Sequence, residues 1–120
     1  MTVLNEGRNT AEFMISEANP HRSRDEVTVA AGSAPGLAAG TVLGTLTSGG
    51  NFVIVAPNAS DGSETASGIL WEAAVGTVKR TVVVRDAEIN GAHLIWPTGI
   101  SDQNKATAIG QLKALGIIVR

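Results

Sequence analysis

Few side chains in this 120-residue chain could carry reactive chemistry. His21 and His93 are the only histidines, and there is no cysteine, so no thiol nucleophile, thiolate metal site or disulfide is available and no metal-ligand spacing exists. His21 stands beside Arg22 and Arg24 in a polar stretch and reads as solvated. His93 follows Asn90-Gly91 and alternates with Leu94, which reads as the rim of a strand. Paired carboxylates for glycoside chemistry would have to come from Asp61, Glu64, Glu72, Asp86 and Glu88, which solvated rim charges explain equally well. The serines lie in turn-like stretches where hydroxyls bond their own backbone, and no G-x-S-x-G elbow occurs. The fourteen glycines form neither G-x-G-x-x-G nor a P-loop. The expectation is therefore a non-enzyme with no catalytic residue, no metal and no cofactor.

The remaining charged feature is Arg22-Ser23-Arg24-Asp25-Glu26, a compact cluster of mixed sign. It is either a solvated hinge or a polar contact, built from Arg22, Arg24, Asp25 and Glu26, that fixes where a preceding segment leaves the body. Eight of the twenty charged residues fall within Met1 to Glu26, whereas Val27 to Ser60 carries none, nor any histidine. So bare a run either lies partly under another subunit or keeps its face wet with Gly, Ser, Thr and Asn. The first segment holds two apolar groups, Val3-Leu4 and Phe13-Met14-Ile15, on a polar string without sustained period. It reads as an arm, residues 1-25, that orders only against something, with those five residues as its anchors. Residues 26-120 form the body.

Positioning elements follow from punctuation by Gly and Pro. Short β-type runs cover Val27 to Ala31, Thr41 to Thr47, Asn51 to Ala56, Ile69 to Val75 and Val78 to Arg85. Ser48-Gly49-Gly50 suits a hairpin, and Asn90-Gly91 suits a type I′ hairpin between Val82 to Ile89 and Ala92 to Trp96. Ser101-Asp102 offers a helix N-cap, and the spacing predicts a helix to about Leu115. Ala108, Ile109, Leu112 and Leu115 should form its buried stripe, with Gln103, Lys105, Gln111 and Lys113 opposite. Gly116 suits the left-handed C′ position, before a last strand Ile117-Ile118-Val119. The fold class is α+β: short strands in a small sandwich- or barrel-like body, one C-terminal helix and an extended N-terminal arm.

Composition narrows the partners. Aromatics are 3% of the chain, so the core must be Val, Ile, Leu and Ala around Phe52, Trp71 and Trp96, and oligomerisation is an expected extra support. A net charge of −2 argues against nucleic acid. No run approaches the roughly 20 apolar residues of a membrane span, nor does the start resemble a secretory signal, so the chain is expected to be soluble and intracellular when made.

The runs Ala38 to Gly44, Gly68 to Trp71, Val82 to Ala92, Leu94-Ile95-Trp96-Pro97 and Leu115 to Arg120, in this order and spacing, resemble tailed-bacteriophage head decoration proteins of the lambda D type. The resemblance extends from about Ser23 to the end. It implies a non-enzymatic homotrimer on the outer surface of the expanded head, at three-fold and quasi-three-fold sites, that stabilises the shell against packaged-DNA pressure. It also implies synthesis in the host cytoplasm, the major capsid protein as partner, an N-terminal segment ordered by pairing with capsid strands, and Trp96-Pro97 as a structural step before the helix. The alternative is a small β-type binding module for a glycan or peptide, which calls for exposed aromatics in a groove or a convergent polar set.

Overall fold

The computed structural model describes residues 10–120. Strand β1 (Met14–Glu17) leads through a one-turn helix, α1 (Pro20–Ser23), into β2 (Arg24–Ala30). Then come β3 (Val42–Thr45), β4 (Phe52–Ile54), β5 (Ala66–Leu70), β6 (Thr77–Val83) and β7 (Ala87–Ile89). A 3-10 turn (Gly91–His93), helix α2 (Asp102–Ala114) and β8 (Ile117–Val119) complete the chain. Five strands close a barrel in the order β2-β4-β3-β5-β6, and β1-β7-β8 form a separate three-stranded sheet. The expected α+β class with a barrel-like body and one C-terminal helix is what the structure shows.

Successive strand residues point to opposite faces, so adjacent apolar residues require both faces to be covered. Val42 and Leu43, Ile69 and Leu70, and Val83 and Val82 split in this way between two cores. Leu43, Leu70 and Val82 join Val29 and Ala74 inside the barrel. Val42, Ile69 and Val83 point outward and pack under the sheet and α2, against Ile89, Ile117, Ala108 and Leu112. Of the charge-free run, Val29, Val42, Leu43 and Val55 are fully buried in these two cores. Its exposed positions are small or polar residues such as Ser33, Ala34, Ser48 and Asn58, and none of the exposed large hydrophobics, Ile15, Val75 and Leu115, belongs to it.

The Ser48-Gly49-Gly50 hairpin forms as expected: Leu43 pairs with Ile54, and both glycines take positive φ. Helix α2 begins at Ser101, whose hydroxyl accepts from the Asn104 N–H, and ends before Gly116 at φ 84. Three of its side chains depart from expectation, the first being Ile109, which is only partly buried and belongs to neither core. Leu115 is 39% exposed because it occupies the C-cap, past the last turn that faces the core. Gln111 turns inward, its Oε1 accepting from the Ala66 N–H at 2.8 Å and so satisfying the first amide of β5.

The Asn90-Gly91 hairpin does not form. Strand β7 is the centre of its sheet, with β1 on one side and β8 on the other, so no edge is left for a returning strand. Asn90 is extended at φ −79, and its side chain caps the 3-10 turn by accepting from the Ala92 N–H. The chain then runs toward the barrel, where Thr41 and Ile95 form a parallel bridge. His93 therefore sits in a helical turn, not on the alternating strand expected for it.

The aromatic at the centre of the core is also not one of the expected three. Phe13 is 1% exposed, whereas Phe52, Trp71 and Trp96 are only partly buried. Phe13 thus packs with the body, although it lies within the stretch 1-25 expected to form the arm. Val3 and Leu4 lie outside the described residues.

Candidate functional site

The most elaborately built surface region is where the N-terminal strand meets the body. Ala11 donates its N–H to the Trp71 carbonyl at 2.9 Å, and the Met14 N–H returns to the Ala11 carbonyl at 3.0 Å, closing a turn. Phe13 drops its ring into the core, meeting Trp71 edge to face with centroids 6.2 Å apart. Its carbonyl accepts from the Asn90 N–H at 2.8 Å. Strand β1 then pairs antiparallel with β7, Ser16 opposite Glu88 and Glu17 opposite Ala87, past an irregularity after Met14. Met14 packs against the core and Ile15 is 52% exposed. Of the expected anchors, then, Phe13 is held within the protein itself and Ile15 is presented to solvent.

The mixed-charge cluster fastens the same region from the other side. Arg24 forms a bidentate pair with Glu17 through Nε, at 3.0 Å, and Nη2, while its guanidinium lies 3.6 Å from the centre of the Trp71 ring. Ser23, fully buried, donates its hydroxyl to Glu17 at 2.6 Å. Arg22 pairs with Asp86 at 2.9 Å, and Arg85 pairs with Asp25 at 2.9 Å while also reaching the Arg22 carbonyl. Glu26 stands exposed on β2 opposite Thr81 and is not brought into this group. The partners that sequence reading missed are Glu17, Asp86 and Arg85. Asp86 and Arg85 are remote in the chain, and the kink that presents them, Asp86 at φ 52, has no glycine to announce it.

The Arg24 guanidinium, first through its hydrogen bond to the side chain, holds the Glu17 carboxyl below its ordinary range against the opposing effect of burial. A depressed folded-state value means the stabilisation is complete above the unfolded value and disappears as pH falls through the folded one. Acidifying from about pH 5 toward pH 3 should therefore lower the melting temperature less in Glu17→Gln than in the parent, since the variant has no proton to gain there. Equal acid sensitivity of both proteins at matched concentration removes this contact as a contributor.

Other titratable groups are similarly occupied. Ser63 donates both its hydroxyl and its N–H to Asp61, holding that carboxyl below its ordinary value, and Glu64 accepts from the Gly62 N–H. Glu88 is likewise held low by Arg120 at 2.8 Å. His93 lies 3.7 Å from Glu12. Among the described residues no group of His, Asp and Glu could hold a metal ion, and no helix is long and apolar enough to cross a membrane. A groove of about 250 Å³ between Ala56-Pro57-Asn58 and Pro97 to Ile100 is lined by no titratable group and no aromatic ring. Trp96, half-buried, packs against the core beside it.

A family model for the bacteriophage lambda head decoration protein D matches residues 3–117. The chain belongs to that family. Among curated proteins none matches it. Head decoration proteins are structural components of the phage capsid and not an enzyme class, which accords with carboxylates that stabilise loops and pair with arginines. The match takes in residues on both sides of Phe13.

Proposed function

We propose that the protein acts as a homotrimer on the outer surface of the expanded phage head, at three-fold and quasi-three-fold positions. There it contacts the major capsid protein and braces neighbouring capsomers against the pressure of packaged DNA. The observation that carries this reading is the family match across residues 3–117. The N-terminal segment is the attachment device: an extended strand can gain backbone hydrogen bonds by adding to an exposed sheet edge, which needs apolar anchors such as Val3 and Leu4 and no reactive group. One such arm binds weakly, because ordering costs about 1–2 kcal/mol per residue. Three arms on one trimer gain avidity of roughly 10² to 10⁴ when their sites are correctly spaced. Shell expansion that brings the sites to those distances makes the matured form the one recognised.

Full-length protein and a variant beginning at Thr10 should be mixed with expanded, undecorated shells and with unexpanded shells, and bound protein measured by co-sedimentation. Full-length protein is expected to saturate the expanded shells and to bind unexpanded ones at least tenfold more weakly, and the shortened variant to lose most of its affinity. Equal binding to both shell forms removes the maturation reading. Undiminished binding by the shortened variant removes the arm.

A further inference from the structure

We infer that residues Ala11–Glu17 stay docked on the body while the protein is on the shell, acting as a fixed mount that positions the segment ahead of them. The inference rests on the shell-binding reading above and sharpens it: the attachment device ends near residue 10, and Phe13, Met14 and Ile15 do not enter the capsid.

Three features of different kinds converge on this stretch. The first is burial: releasing β1 would bring the ring of Phe13 from 1% exposure into water and take away the edge contact that Trp71 makes with it. Trp71 is the hub of the mount. Its backbone carbonyl holds Ala11, its ring edge-packs with Phe13, and Arg24 lies over that ring while gripping Glu17 at the far end of β1. The second is the β1–β7 ladder together with the Phe13 carbonyl bonded to Asn90, so peeling would also uncover one side of the central strand of the sheet. The third is strain. Ala11 has φ 58, in the left-handed region that a residue with a Cβ rarely adopts, and such a conformation persists only where its surroundings dictate it. Here it sits in the turn closed by the Met14 N–H on the Ala11 carbonyl, at the start of the docked stretch. A strained turn at the root of a tether is a means of setting its direction.

A mount also bears on avidity. The ten residues ahead of Ala11 span at most about 35 Å when extended. A tether rooted at a fixed point searches a smaller volume than one that begins near residue 25, and effective concentration at a correctly spaced site rises as the tether shortens toward the span.

The test uses the chain's lack of cysteine. Ser16 and Glu88 are directly paired across β1 and β7, so Ser16→Cys with Glu88→Cys supplies a pair that can lock the mount under oxidation and free it under reduction. Oxidised and reduced forms, alongside the parent, are titrated onto expanded, undecorated shells. Affinity of the oxidised form within about twofold of the reduced form supports the mount. A loss of tenfold or more on oxidation, restored by dithiothreitol, overturns it while leaving shell binding through a longer arm intact. Failure of the parent itself to bind overturns the decoration reading and the mount with it. Independently of the disulfide, backbone amides of residues 11–17 and Asn90 in parent protein on the shell should keep the hydrogen-exchange protection they have in free protein. Loss of that protection on the shell overturns the mount.

Discussion

Phe13→Ala is expected to cost about 3–5 kcal/mol of folding stability, enough to lower the melting temperature by at least about 10 °C. The ring is 1% exposed and shares its core with Val42 and Ile69 of the barrel, Ile89 and Ile117 of the sheet and Leu112 of the helix. Truncation there removes a ring contact to Trp71 and leaves a cavity that three elements would all have to move to fill. Ile15→Ala, two positions further along the chain but 52% exposed, should change stability by no more than about 0.5 kcal/mol. The pair decides whether this stretch belongs to the body or to a loose arm, because a residue in a loose arm contributes nothing to folding. Thermal denaturation of both variants at one protein concentration provides the comparison. If Phe13→Ala melts with the parent, the segment is not part of the folded core.

The same residue shows what kind of information the sequence carries. Phe13-Met14-Ile15 is a short apolar group between polar neighbours, and nothing local distinguishes a group that packs on its own chain from one reserved for a partner. What decides is the empty side of β7, which becomes visible only once the sheet is assembled. The Asn90-Gly91 misreading has the same origin. An Asn-Gly pair favours a type I′ turn, but a hairpin also needs a free strand edge, and β1 and β8 occupy both edges of β7. By contrast, helix α2 was legible because its signals are local: Ser101 caps its start, Ala108 and Leu112 recur at the spacing of a buried face, and Gly116 ends it.

The candidate site divides in a similar way. Arg22, Arg24 and Asp25 were visible as a charged cluster, but their partners Asp86, Glu17 and Arg85 arrive by topology, and the place of Arg24 over Trp71 has no signature in either residue's neighbourhood. Glu26, adjacent in sequence, is left on an exposed strand face. Sequence proximity thus identified the basic half of the fastening and overstated its acidic half.

Glycine substitutions should separate close approach from mere flexibility, and Gly44→Ala is expected to be among the most damaging, at about 3 kcal/mol or more. Gly44 lies in β3 with no positive φ, so an alanine meets no backbone strain. Its obstacle is the loop leading into β5, which crosses directly over it: an added Cβ would stand 2.5 Å from the Ser63 carbonyl oxygen and 2.8 Å from its Cα. Those are backbone atoms, and moving them breaks the 2.9 Å bond from the Ala56 N–H to the Ser63 carbonyl and disturbs the Asp61 contacts that shape the loop. A glycine within a strand marks this sort of approach. Gly49→Ala isolates the conformational cost alone, since nothing lies within 4 Å but φ is 86, and should lose about 1 kcal/mol. Gly110→Ala has neither obstacle, lies in α2, and should gain about 0.8–1 kcal/mol from helix propensity. Melting curves for the three variants should therefore rank Gly110→Ala above the parent, Gly49→Ala slightly below it and Gly44→Ala far below. If Gly44→Ala falls beside Gly49→Ala, the loop yields freely, and the approach of Ser63 to β3 is not a rigid constraint.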